Sequence, residues 1–383
     1  MQTTGNTKEV SLYFHIPFCT KKCPYCHFYV VPNREELQLS YLAALEKEWQ
    51  IVSHKIAGMH IVSIYFGGGT PSLLGPQKID KVLQWIAGSS ATISTDCEIT
   101  LEANPENVTL ELIKEFKACG INRISLGLQS MEDELLVHLG RGHSASKSSQ
   151  AVIDCYEAGM QNISVDLMFE LPHQNMAHWT HTLDKVSTLP ITHLSLYNLV
   201  IEPHTQFHKK RKELSTHLPP EELCKEMLDI AVDKLETAGL KRYEISAFAK
   251  PGYLSRHNTG YWKARPFLGL GPSAFSYFDK KRFQNVCNLQ KYCSQLDKGI
   301  LPIDFEEELS FPANLKELLA VELRLIDGVN IEEFEKKHAK LPQEMLNSLK
   351  KLKELNLLEQ NNNIIKMTNK GLLFYDTVAE EII

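Results

Sequence analysis

Between residues 11 and 250 one alternation recurs six times: a short apolar, β-branched run, then a stretch with helical spacing. The runs are residues 11–16, 60–66, 97–101, 122–128, 163–169 and 193–201. The helices are predicted over 36–53, 76–87, 109–119, 145–158, 176–188 and 220–238. Pro76 suits a first helical turn, and Gly120, Gly159 and Gly239 follow helical stretches as C-terminal stops. Strand–helix units in unbroken series build a parallel sheet with right-handed crossovers. An open doubly wound sheet and a barrel both satisfy that pattern.

After this series the texture changes. Residues 243–248 look like a further strand. The following stretch is rich in Gly, Pro and aromatics, including HNTGYW and PFLGLGPSAFSYF, and predicts capping strands and loops over 251–303. From residue 304 the chain is helical and charged, and it ends in a turn-rich stretch, a short β pair and a last helix. That order predicts a small winged-helix-like domain over 304–383, behind a main domain over 1–250.

Composition removes several function classes. The formal net charge is −6 over 383 residues, and basic residues read as scattered, so no nucleic-acid surface is expected. No apolar run approaches the ~20 residues of a membrane helix. The opening MQTTGNTKEV is polar and lacks the apolar core of a secretory signal, so a cytoplasmic protein is expected.

Nine cysteines are present, and six of them (Cys97, Cys119, Cys155, Cys224, Cys287, Cys293) are dispersed and read as small apolar packing residues. Cys19, Cys23 and Cys26 fall within eight residues, directly after the first strand. Structural zinc takes four protein ligands, commonly two distant pairs, and no second pair lies nearby. A four-iron cluster held by three cysteines leaves one iron open to a small molecule. Zinc and free thiols remain the alternatives at this point.

Polar residues gather at the ends of the other strands. Gly67, Gly68, Gly69, Thr70 and Pro71 follow the second, where consecutive glycines let a backbone approach a ligand. Glu102 follows the third strand, Gln129 ends the fourth, Arg141 lies twelve residues further on, and Asp166 sits in the fifth. Active sites of parallel barrels collect at the C-terminal ends of strands, so this convergence favours an α/β fold built as a partial (β/α)6 barrel.

The spacing C-x3-C-x2-C, with Tyr25 inside it, resembles the signature of the radical S-adenosylmethionine (SAM) superfamily. The resemblance implies a [4Fe-4S] cluster on Cys19, Cys23 and Cys26. Its open iron would take the amino and carboxylate groups of SAM, whose reductive cleavage gives a 5′-deoxyadenosyl radical. YFHIPFC, YFGGGTPSLL, LEANPE, RISLGLQS and HNTGYW are similar to the oxygen-independent coproporphyrinogen III oxidases and the related radical SAM haem chaperones. That likeness spans nearly the whole chain. It implies that Tyr13, Tyr25, Gly68, Gly69, Thr70, Glu102, Gln129, Arg141 and Asp166 serve SAM and the cluster.

The two branches differ at one position. The oxidases carry a cysteine two residues after the third ligand, where this chain has Phe28; the haem chaperones lack it and carry H-N-x-x-Y-W. The resemblance therefore implies a protein that binds haem and passes it to haem proteins such as respiratory enzymes, with His257 as the candidate iron ligand. Coproporphyrinogen III decarboxylation is the alternative. An electron donor such as a flavodoxin or ferredoxin, and peripheral membrane contact through client proteins, are further implications. The chain departs from the pattern at Phe275, where His is usual, and at Glu170 and His173, where Gly is usual.

Overall fold

The computed structural model describes residues 8–383. The polar opening on which a missing secretory signal was read lies largely in residues 1–7, outside the described residues.

All six expected parallel strands form: β1 (Glu9–Ile16), β2 (His60–Gly68), β3 (Thr92–Ala103), β4 (Arg123–Gln129), β5 (Asn162–Phe169) and β6 (His193–Asn198). They lie side by side in sequence order, each parallel to the next. A doubly wound sheet reverses its order at a switch point, and this one does not, so the strands curve as a barrel wall. The sheet continues past β6 through an antiparallel hairpin, β7 (Lys241–Glu244) and β8 (Ala247–Ala249). Residues 243–248 are thus two strands and not one. The turn at Ile245 and Ser246 separates them, and the Arg242 guanidinium bonds the Ile245 carbonyl.

The 251–303 stretch is also revised, from a cap to a continuation of the sheet. HNTGYW is a helix, α10 (Arg256–Trp262), whose N-cap Ser255 hydroxyl accepts from Asn258 N–H. β9 (Phe267–Leu270) then pairs in parallel with β1, on the side opposite β2. Three antiparallel strands follow it: β10 (Phe275–Phe278), β11 (Lys281–Asn285) and β12 (Ile303–Glu308). The edge strands β7 and β12 stay unpaired with each other, which leaves the barrel partial.

Helices cover the outer face by burying one stripe each. Helix α2 (Pro76–Ala87) buries Ile79, Val82, Leu83 and Ile86, the i, i+3, i+4, i+7 pattern of an amphipathic helix. Helices α1 (Glu35–Val52), α3 (Leu110–Ala118), α4 (Asp133–His138), α5 (Ala145–Glu157) and α6 (Met176–Ser187) follow their strands, with two one-turn helices, α7 (Gln206–Lys209) and α8 (Arg211–Leu214), before α9 (Glu221–Thr237). Trp179 of α6 is fully buried and donates its indole N–H to Met227 O of α9 at 2.7 Å.

Beyond β12 the chain builds its own core around Leu319, Leu323, Phe334, Leu352 and Val378. A small antiparallel sheet runs through β13 (Val329–Asn330), β14 (Leu358–Asn361) and β15 (Ile364–Met367), with β15 central. Helices flank it, as expected of a winged-helix-like unit. No helix among the described residues is long and apolar enough to cross a membrane.

Candidate functional site

Six strands alternate with a period of two, polar toward the barrel interior and apolar toward the helices. β1 contributes Ser11, Tyr13 and His15; β2, Ser63, Tyr65 and Gly67; β3, Glu98, Thr100 and Glu102. Arg123 and Ser125 on β4, Asp166 on β5, and Ser195 and Tyr197 on β6 continue the lining. Register stacks them in layers: Tyr13 opposite Tyr65, Glu102 opposite Ser125, Asp166 opposite Ser195.

The cysteine loop leaves at the C-terminal end of β1. Phe18–Cys19 pairs with Val31–Pro32, which closes the loop at its base. Cys26 N–H donates to Cys23 O at 3.1 Å, forming a turn that brings these two close. Cys19 Sγ lies 3.5 Å from Thr70 Oγ1, at the end of the glycine run. Among the described residues no three His, Cys, Asp or Glu side chains converge tightly enough for a single metal ion. Burial pushes the Cys19 and Cys26 thiols up; the Thr70 hydroxyl pulls Cys19 back in part. Proton release would therefore accompany metal loading.

A hydrogen-bonded chain ties this loop to the neighbouring strands. Asn104 donates to Thr70 Oγ1 at 3.1 Å and accepts from Arg141 Nη2 at 2.7 Å. Arg141 also donates to Gly127 O at 2.8 Å, and its Nη1 lies 3.7 Å from Cys23 Sγ and 3.5 Å from the Tyr25 hydroxyl. Its Nε is buried with no partner among the described residues. A positive charge at a thiolate cradle, with one donor unspent, fits an anionic group beside the cluster. Gln129 ends β4 in the left-handed region, at φ +67, with its amide beside Gly127 and the Arg141 fork.

Gly68 (φ +111) and Gly69 explain the glycine run. A Cβ on Gly69 would stand 2.7 Å from Phe18 O, so only glycine lets the run lie against the base of the cysteine loop. Gly68 N–H donates to Glu102 Oε2 at 3.1 Å, and the Tyr65 hydroxyl donates to Oε1 at 2.7 Å. Burial pushes the Glu102 carboxyl up to about 7, and nearby Asp166 adds to the shift. Burial likewise raises Asp166 to about 6, against hydrogen bonds from Ser195 and Ser125. Two carboxyls poised near neutrality in one polar lumen suit hydroxyl-bearing ligands.

Tyr13 bonds His15 Nδ1 through its hydroxyl at 3.1 Å, and His15 Nε2 is 3.0 Å from Tyr29 O, on the cysteine loop. Tyr25 packs against Phe207 with ring centroids 6.2 Å apart. The structure thus gathers Tyr13, Gly68, Gly69, Thr70, Glu102, Gln129, Arg141 and Asp166 around the barrel mouth, with Cys19, Cys23, Cys26 and Tyr25 on the adjoining loop. Sequence reasoning missed Tyr65, Asn104, Ser195 and Tyr197. The period-two polar pattern of β2 and β6 was the signal that could have found three of them.

His257 lies one layer deeper than the mouth, its ring centroid 4.9 Å from that of Tyr65 and 6.3 Å from that of Tyr13. It is buried beneath the mouth, with Nδ1 3.0 Å from Ser63 Oγ and Nε2 2.6 Å from the Tyr261 hydroxyl. Along β2, Ser63 and Gly68 are about 16 Å apart. Burial, with Arg265 and Arg123 nearby, lowers the imidazole to about 3, so it is neutral and both nitrogens are engaged. Iron ligation there requires breaking one of these bonds and opening a buried position. Phe28 and Phe275 are exposed, and Glu170 and His173 both hold left-handed backbone, at φ +62 and +66, where glycine would be unstrained.

A model of the radical SAM superfamily matches residues 13–186, and one of the HemN C-terminal domain matches residues 309–374. The chain is 33% identical to the heme chaperone HemW of Bacillus subtilis over 369 residues, covering 96% of this chain and 97% of that one. The Lactococcus lactis heme chaperone HemW is 34% identical over 382 residues, covering 98% of each. Among solved structures, coproporphyrinogen III oxidase (HemN) from Escherichia coli, a radical SAM enzyme, superposes with a TM-score of 0.85. It covers 98% of this chain and 90% of its own at 24% identity, a likeness of fold. With three spaced thiols at the mouth of a partial barrel and full-length relatives of one kind, the chain belongs to the radical SAM superfamily and, within it, to the HemW family.

Proposed function

We propose that this chain is a haem chaperone: it binds haem and hands it to haem proteins. The observation that carries the reading is full-length similarity to proteins named heme chaperone HemW, at 33–34% identity. Phe28 supports it. An exposed phenyl ring stands where the oxidase branch carries a further cysteine.

Superfamily membership carries a [4Fe-4S] cluster and SAM. Bound together, they supply one-electron chemistry at a carbon–sulfur bond. In this reading Cys19, Cys23 and Cys26 hold the cluster. Thr70 and Arg141 steady the thiolates, and the glycine run brings backbone against the ligand's amine. Glu102 and Asp166 hold ribose hydroxyls, accepting when ionised and donating when protonated. Arg141 keeps Nε for a carboxylate, and Gln129 adds an amide beside it. The client proteins are haem-accepting proteins such as respiratory enzymes, and a flavodoxin or ferredoxin supplies electrons.

The test pairs two anaerobic measurements on cluster-reconstituted protein. Haem retained through gel filtration at one per chain, with no conversion of coproporphyrinogen III in the presence of SAM, is the expected result. Turnover of coproporphyrinogen without haem retention overturns the chaperone reading in favour of the oxidase.

A further inference from the structure

We propose that the exposed imidazoles of His138, His173 and His217, with the cations of residues 209–212, form the surface on which this chain takes up haem: an imidazole ligates the iron and the cations hold the propionates. The inference rests on the haem-chaperone reading and gives it a site.

The three rings come from three segments: the last turn of α4, the turn after β5, and the chain just after α8. His173 packs against His138 in a tilted pair with centroids 4.9 Å apart and stacks on His217 at 4.2 Å. All three residues are exposed, and among the described residues none of their ring nitrogens has a protein hydrogen-bond partner. This is the reverse of His257, which is buried with both nitrogens taken. A haem iron needs a neutral imidazole with a free lone pair that a large flat ligand can reach.

The backbone pays a penalty to keep the middle ring. His173 sits at φ +66, a left-handed conformation in which a side chain is strained and glycine is not. Its N–H donates to His217 O at 2.8 Å, which fixes the turn against the third segment. Strain held in place by neighbouring structure points to use of the side chain it displays.

The charge is adjacent. Residues 209–212 read KKRK, all exposed, and among the described residues none is in an ion pair. The sequence reading passed over this run when it took the basic residues as scattered. Helical turns continue past α8, with Ser215 N–H to Arg211 O and His217 N–H to Leu214 O, each at 2.9 Å. Five to eight residues of such a path span about 8–12 Å, the same order as the reach from a haem iron to its propionates. Val137, 74% exposed beside His138, adds apolar surface.

The patch backs onto the cysteine loop. Phe207 N–H donates to Pro24 O at 3.0 Å, and a Cβ on Gly140 would meet Pro24 at 2.7 Å.

Full-length protein is titrated with ferric haem, and the Soret band and gel-filtration retention are read. Three proteins are compared: wild type, the triple variant His138→Ala/His173→Gly/His217→Ala, and Lys209→Glu/Lys210→Glu/Lys212→Glu. Wild type is expected to bind one haem with a red-shifted Soret band. The histidine variant loses the shift and at least tenfold in affinity. The lysine variant keeps the shift and loses about fivefold. His173→Gly alone relieves backbone strain, so it folds and reads the ring's part independently. Iron-free protoporphyrin IX is expected to bind wild type and the histidine variant alike. Wild-type affinity and spectrum in the histidine variant overturn this site and leave the chaperone reading intact. No haem retention by wild type overturns both.

Discussion

Glu48 is a fully buried carboxyl facing three donors and, among the described residues, no cation: Gly271 N–H, Asn285 Nδ2 and the Tyr292 hydroxyl. Burial raises it to about 7, against those hydrogen bonds. Because its folded value lies above the unfolded ~4.3, its contribution to stability is complete below that pH and is lost as pH rises through about 7. Glu48→Gln removes that titration because an amide does not ionise; its nitrogen then faces either the Gly271 N–H or Asn285 Nδ2, a loss that does not vary with pH. The stability difference between variant and wild type should then change by on the order of 3 kcal/mol between pH 4 and pH 8, in the variant's favour at high pH. Urea unfolding at several pH values reads it; a flat difference rejects it. A second residue-scale expectation concerns the cluster. Alanine at Cys19, Cys23 or Cys26 should abolish iron and sulfide retention, while Cys119→Ala, at the C-terminal end of α3 with its thiol on Pro76 O, keeps both. Retention in all four would refute the cradle. The cysteines were legible in the sequence because their spacing is local. Their support by Asn104 and Arg141 was not, because it depends on strands that meet only in the folded sheet.

At the scale of elements, buried parallel strands announced themselves by length and β-branched content, and five of six were placed within a few residues. β3 runs longer than expected because its first half, TISTD, is polar and partly exposed. The β7–β8 hairpin looked like one strand because YEISAF alternates apolar and polar residues as a single strand would; the turn is made by a side chain, Arg242, reaching Ile245 O. HNTGYW was unreadable as a helix. Gly260 and the aromatics have poor helix propensity, and α10 forms because Glu98 accepts from Arg256 and His257 N–H at 3.0 Å each. The turn after β5 carries the element-scale prediction. Glu170 at φ +62 is strained by its Cβ alone, so Glu170→Gly should be more stable than Glu170→Ala by about 1 kcal/mol. Chemical denaturation of the pair decides it, and equal midpoints would remove the strain argument.

Over the whole molecule, Arg324 fastens the C-terminal unit to the barrel. Its guanidinium lies 4.3 Å from the Trp262 ring centroid and 5.0 Å from that of Tyr375, and it reaches Glu244 at 3.4 Å. Each contact belongs to a different part: α10, the last helix and β7. Glu244 is almost fully buried, so removing its partner leaves a carboxyl that burial already pushes upward. Loss of a buried partner costs about 3–5 kcal/mol, and the lost cation–π contacts add about 1. Arg324→Ala should therefore loosen the junction before it harms either core. Hydrogen exchange is expected to rise at α10 and residues 375–382 while β1–β6 stay protected, and cluster content should be unchanged, because the cysteine loop lies at the other end of the barrel from α10. Arg324→Lys keeps the charge but not the flat stacking face, so it should fall between the two. Uniform loss of protection across β1–β6 in the alanine variant would show that the two units are one cooperative body, and the local fastening assigned to Arg324 would be wrong.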